Sequence, residues 1–173
     1  MKVIFQAIQD KLIADVTELQ FIDFDLGQLE QEPLPPVDYP ACLISFGESP
    51  FVDLSQLSQQ STMIINIRLA FRVFERTHNI AQSQYRDIGL AHLDIIEKVK
   101  WALHGMSGTD FDSLSHRGFA TEPRADLRVY SLTFETLLMV SPPTQQYVPW
   151  ADAEGEGAGP DLCLKDEEGN PIE

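Results

Sequence analysis

Between residues 61 and 75, Met63, Ile65, Ile67, Leu69, Phe71 and Val73 fall on every second position, with Thr62, Ile64, Asn66, Arg68, Ala70, Arg72 and Phe74 between them. Successive side chains of a strand point to opposite faces. The period of two therefore predicts one long strand with a fully apolar face and a mixed face carrying Arg68 and Arg72. At about 3.3 Å per residue it would span roughly 45 Å, well beyond the usual strand of about 5–6 residues. Such a strand is expected to lie centrally in its sheet for part of its length and to project beyond it for the rest.

The same alternation marks two further strands. In 39–46, Cys42, Ile44 and Phe46 share a face, and Pro40 stands near the start, where a missing donor is tolerated. In 127–140, Tyr130, Leu132, Phe134, Leu138 and Val140 have one parity and Ser131, Thr133 and Glu135 the other. Short strands are expected at 21–26 and 116–121. Residues 48–60 read as a polar connection, which makes 39–46 and 61–75 a long antiparallel hairpin.

Two stretches switch to the helical period. Phe5, Ile8, Leu12, Val16 and Leu19 recur at spacings of three and four and predict a helix over 2–17. Ala81, Tyr85, Ile88, His92, Ile95, Ile96, Val99 and Leu103 define one face of a second helix over 80–104, roughly 37 Å long, with Asn79 as N-cap and Gly105 just past its end. Pro33, Pro35 and Pro36 exclude a helix or central strand, and Pro142-Pro143 stop the last strand.

These elements predict an α/β (α+β) fold. Its sheet is mixed and mostly antiparallel, of four to five strands, with two helices packed on one face and a long projecting β-hairpin. Phe5, Ile8, Leu12, Ile65, Ile67, Leu69, Ile88, Ile95, Val99, Leu132 and Phe134 are the expected core.

Composition divides the chain. Residues 1–143 read as one domain and 144–173 as an acidic, Gly/Pro-containing tail. From residue 151 onward eight carboxylates face the single Lys165, a net charge of −7 out of −15 for all 173 residues. Such a segment buries too little apolar surface to order itself, although Tyr147, Trp150, Leu162 and Leu164 are suited to anchoring it on another chain. The overall charge repels phosphate, so nucleic acid is not expected to bind through a basic face, while DNA could pass nearby without sticking.

Cys42 and Cys163 lie far apart in unlike contexts, which argues against a disulfide framework. No stretch approaches the roughly 20 apolar residues of a membrane span, and the N-terminus lacks the apolar run of a signal peptide. A soluble protein made in a reducing cytoplasm is the expectation.

Candidate chemistry is sparse. His78, His92, His104 and His116 have no partner at metal-ligand spacing, and His92, on the apolar helix face, is expected to be buried and hydrogen-bonded. Asp110-Phe111-Asp112 reads as a solvated turn, and Cys42, within an apolar strand, as an inert packing residue. No nucleophile elbow, phosphate-cradling loop or zinc-protease motif is present. Catalysis, cofactors and metals are therefore not expected. Arg68 and Arg72 could bind an anion or pair with acids of a neighbour. On the second helix Leu90, Leu93 and Trp101 lie off the core stripe, which suits either partial burial or a subunit boundary.

The order helix, short strand, Pro-rich loop, long hairpin, long helix and final strand resembles the tail terminator (tail-completion) proteins of tailed bacteriophages. Its carriers are VIFQAIQDKLIADV, PPVDYPACLISF, MIINIRLAFRVF, IIEKVKWALHG and RVYSLTFETLLM, covering about 2–140. The acidic segment after Pro143 has no counterpart in that pattern.

The resemblance implies a non-catalytic virion protein of the tail or neck, assembled in the host cytoplasm. It would form a homo-oligomeric ring, usually a hexamer, that caps the tail tube protein, stops its polymerisation and offers a surface to neck and head-completion proteins. DNA would be only passing cargo, and no membrane is involved. In such a ring Leu90, Leu93 and Trp101 would lie near a subunit boundary, with Arg68, Arg72, Arg76 or Arg86 against acids of the next copy. Two other readings stay open. One is another head–tail connector component, a head-closure or adaptor protein. The other is a small acidic enzyme or ligand-binding domain with a pocket lined by Tyr85, His92 or Arg68.

Overall fold

A strand that is apolar on alternate positions needs partners on both edges and cover on one face. The computed structural model supplies both. It describes residues 1–31, 37–54, 58–72, 77, 78, 80 and 82–140. The chain divides into two units, Met1–Ser141 and Pro142–Glu173, and everything described below belongs to the first.

The central strand β4 (Gln59–Phe71) pairs antiparallel along its whole length with β6 (Arg128–Val140), from Gln59 opposite Val140 to Phe71 opposite Arg128. Its other edge pairs antiparallel with β2 (Ala41–Phe46) over residues 65–70 and with the short β3 (Phe51–Asp53) over residues 59–61. Beyond β2 lies β1 (Phe21–Phe24), which runs parallel to it. Beyond β6 lies β5 (Ser115–Glu122), antiparallel, with an irregularity between His116 and Gly118. The order β1-β2-β4-β6-β5, with β3 beside β4, is a mixed, mostly antiparallel sheet of six strands. The strand beyond the expected number is β3, in a stretch that reads as a connection because it is only three residues long and exposed.

The helices α1 (Lys2–Asp15) and α2 (Ser83–Leu103) cover one face. Ile4, Phe5, Ile8 and Leu12 of α1 and Ile96, Val99 and Leu103 of α2 join Cys42, Ile44, Met63, Ile65, Ile67, Leu69, Phe71, Leu132 and Phe134 in the main core. Each of these Ile and Leu side chains contributes about 1.5–3 kcal/mol by leaving water. Phe5 also stacks on Phe24 of β1, ring centroids 3.8 Å apart. On the opposite face a smaller core forms where Leu29, in a short 3-10 turn, lies over Ala41, Leu43, Ala70, Leu127 and Val129.

The element boundaries follow local chemistry. The Tyr39-Pro40 bond is cis, and β2 begins only at Ala41, past the residue that lacks a donor. Gly105 ends α2 with φ +83°, a left-handed conformation open to glycine without steric cost. Among the described residues no helix is long and apolar enough to cross a membrane.

Several expectations fall outside the described residues: the prolines at 33–36, the strand end at 73–75, Arg76, the Asn79 cap, Ala81, and the tail residues Tyr147, Trp150, Leu162 and Leu164. The N-cap of α2 is Gln82.

One core expectation is corrected. Ile88 is 60% exposed, and Tyr85, placed on the same stripe, is exposed too. Tyr85 and Leu103 stand about five turns apart and project the same way, yet Leu103 is fully buried. The helix face is therefore as expected, but what lies beneath it differs. β4 ends at Phe71, whose ring meets His92, and no described strand continues under the turns before it.

Candidate functional site

The outer flank of α2 carries exposed apolar side chains. Leu90, Leu93 and Trp101 are all exposed, Trp101 to 64%. Trp101 is held by its own helix: the Lys100 ammonium lies 4.9 Å from its ring centroid, and the His104 ring meets it edge-on at 5.9 Å. These residues share a side because spacings of three to four positions return a helix to the same azimuth, and Glu97 sits between them. Such an uncovered aromatic and two leucines suit a contact with another surface.

On the helix-free face Arg68 is the centre of a charge cluster. It projects from the middle of β4, between Ile67 and Leu69, and its guanidinium reaches three carboxylates from distant parts of the chain. Nη1 donates to Asp25 at 2.9 Å. Nη2 donates to Glu30 at 2.7 Å. Nε and Nη2 grip both oxygens of Glu122 at 2.9 and 2.6 Å. Ser131 Oγ donates to the same Glu122 carboxylate, and Arg124 adds ion pairs to Glu30 and Asp126.

Arg68 is pushed up in pKa chiefly by Glu122, then by Glu30 and Asp25. Its charge in turn holds the Glu122 carboxyl below the usual range. The cluster ties the segment after β1, the 3-10 turn and β5 to the central strand. Of the two expectations for Arg68, an anion site or pairing with acids of a neighbour, the second describes these contacts, and the acids come from neighbouring segments of the same chain. Arg72 is exposed, with its guanidinium 5.4 Å from the Tyr39 ring centroid.

His92 is 4% exposed on the core side of α2. Its Nε2 is hydrogen-bonded to the Tyr130 hydroxyl at 2.8 Å, and its ring lies against Phe71 and Tyr130. This is the buried, hydrogen-bonded histidine the sequence predicts. Cys42 is fully buried, and burial pushes its thiol up to about 12, which leaves it an unreactive packing residue. Asp110 and Asp112 belong to a strap rather than a free turn. The Met139 amide donates to the Asp110 carbonyl, the Asp112 amide to the Leu137 carbonyl, and Phe111 is buried between them.

Tyr85, His92 and Arg68 do not line one pocket. Arg68 faces the helix-free side, His92 lies between α2 and the opposite side, and Tyr85 is exposed beyond the covered core. Among the described residues no cluster of His, Cys, Asp or Glu is arranged to hold a metal. The three acids around Arg68 carry no local signal, lying 38 to 54 residues from it in the chain. The one available hint is that a cation flanked by Ile67 and Leu69 in a central strand requires countercharge nearby.

The fold thus defines an α+β protein with a mixed sheet and both helices on one face. No protein-family model matches this chain, and no curated protein matches it in sequence. It is similar to a chain in the solved structure of the virion of a native gene transfer agent (GTA) particle, at 16% identity and a TM-score of 0.45. The match covers 79% of this chain and 94% of that one.

Proposed function

We propose that this chain is a structural component of a tailed phage or phage-like virion. In this reading it assembles as a homo-oligomeric ring, of six copies in its simplest form, at the junction of tail and neck. The ring caps the tail tube, stops its polymerisation and presents a docking surface to the neck. It performs no catalysis.

The observation that carries the reading is the outer flank of α2. Leu90, Leu93 and Trp101 are exposed in a single chain, on the side of the helix turned away from the core that Ile96, Val99 and Leu103 join. A second copy covering that flank would take Trp101 out of water, and a head-to-tail contact of this kind closes into a ring when its rotation permits. The element order, which resembles that of tail terminators, is in keeping with a place in the tail. A charge of −15 per copy favours free passage of DNA through a lumen and opposes assembly, so added salt is expected to strengthen the ring.

Light scattering of the wild type beside Trp101→Glu and Leu93→Glu tests the reading, with circular dichroism to confirm folding. Wild type is expected to form a discrete oligomer alone or with its tube partner, and the variants to lose it. Wild type that stays monomeric at high concentration in both settings would overturn the ring.

A further inference from the structure

Along α2, cover on the core side changes abruptly. Residues 94–103 are fixed by Ile96, Val99 and Leu103, all buried in the main core, with Ile95 and Ala102 packed against it. In residues 83–93 the buried positions are Gly89 and His92 alone. Gly89 has no side chain to pack, so among the described residues one imidazole is the buried side chain that holds the first half of the helix. That imidazole is wedged between Phe71 and Tyr130, ring centroids 5.3 and 5.4 Å away, and bonded through Nε2 to the Tyr130 hydroxyl. Its Nδ1 is buried. Phe119 of β5 stacks on the other side of this group, 5.8 Å from Tyr130.

We propose that His92 is an acid-operated latch: neutral, it pins the first half of α2 to the sheet through Tyr130, and protonated, it releases that half while the second half stays in place. The groups facing it favour this behaviour. From β6 come the Tyr130 hydroxyl and the positive charge of Arg128. β4 contributes the Phe71 ring, and its own helix the Gly89 carbonyl. No carboxylate among the described residues acts on it to stabilise an imidazolium. Burial, and then Arg128, accordingly hold its pKa below the ordinary 6.5, weakly opposed by Gly89. Release would uncover the inner side of a segment that already exposes Tyr85, Ile88, Leu90 and Leu93.

The linkage has a definite sign. The open helix returns His92 to ordinary proton affinity, so the open form binds more protons between pH 6.5 and the lower pKa of the closed form. The advantage of the closed form is complete above 6.5 and is lost as pH falls through the closed-state pKa. Within that window the opening constant rises about tenfold per pH unit.

Hydrogen–deuterium exchange of the full chain between pH 8 and 5, expressed as protection factors, tests the latch. Residues 83–93 are expected to lose protection by up to about tenfold per unit below 6.5, and residues 94–103 to keep theirs. His92→Gln keeps a hydrogen-bonding end for Tyr130 but cannot titrate, and should abolish the pH dependence. Equal loss in both halves, no loss in wild type, or the wild-type profile in His92→Gln each overturns the proposal. Should that variant fail to fold, the imidazole of wild-type His92 followed by NMR decides. A midpoint below 6.5 that coincides with the loss of protection supports the latch, and a midpoint at or above 6.5 overturns it.

Discussion

The two halves of α2 belong to one continuous helix, yet they are held in different ways. Residues 94–103 lie on a row of buried aliphatic side chains above the paired centre of β4 and β6. Residues 83–93 run past the described end of β4, leave Tyr85 and Ile88 in water, and depend on a polar ring. Aliphatic burial is indifferent to pH and direction, whereas a buried imidazole holds in one protonation state and one geometry. Helical pattern therefore specifies a face but not its anchorage. A single helix can carry a rigid half and a half that is free to respond.

The largest loss is expected from the rigid half. Leu103→Ala removes a fully buried side chain and is expected to cost about 2–5 kcal/mol, read as a drop in the urea midpoint of the whole domain. Arg68→Met comes next. It leaves the Asp25, Glu30 and Glu122 carboxylates facing one another across the sheet, at a cost of about 2–4 kcal/mol, between the values of exposed and buried ion pairs. Because that cluster braces the sheet and not the helix, protection should fall equally in both halves of α2. The Arg68 contribution carries its own pH sign. The depressed Glu122 pKa makes it complete above the ordinary glutamate range and lost as pH falls through the folded value.

Tyr130→Phe removes the hydroxyl bonded to His92 and should cost about 0.5–1.5 kcal/mol. Here the loss should fall on residues 83–93 alone, as measured by hydrogen exchange at pH 7.5. The smallest effect on stability belongs to Trp101→Glu and Leu93→Glu, whose exposed positions predict changes within about 0.5 kcal/mol in thermal melts at dilutions where the wild type is monomeric. Their signature is in the assembled state, so a large fall in melting temperature would mean that the flank supports the domain itself.

Much of the architecture was legible because period and face are local properties. Alternation placed β2, β4 and β6 within a few residues of their observed ends, and parity separated Leu132 and Phe134 from Ser131 and Thr133 correctly. β3 escaped because three exposed residues carry no period, and it exists only because β4 offers it an edge. The candidate site was legible in one part. Leu90, Leu93 and Trp101 were separable from the core by helix geometry alone, whereas Ile88 was misplaced because azimuth does not reveal where the sheet beneath stops.

What the sequence determined by itself was therefore the set of elements, the face each turns inward, and the excess of acid, since all three follow from spacing and counting along the chain. The tertiary structure decided the rest. It set strand order, with β1 parallel to β2 at one edge and β5 at the other. It gave Arg68 three carboxylates of its own chain, and it set His92 against Tyr130, 38 residues away. The physical reason is that countercharge and burial act through space, and the groups that supply them leave no mark on the local pattern of the residues they serve.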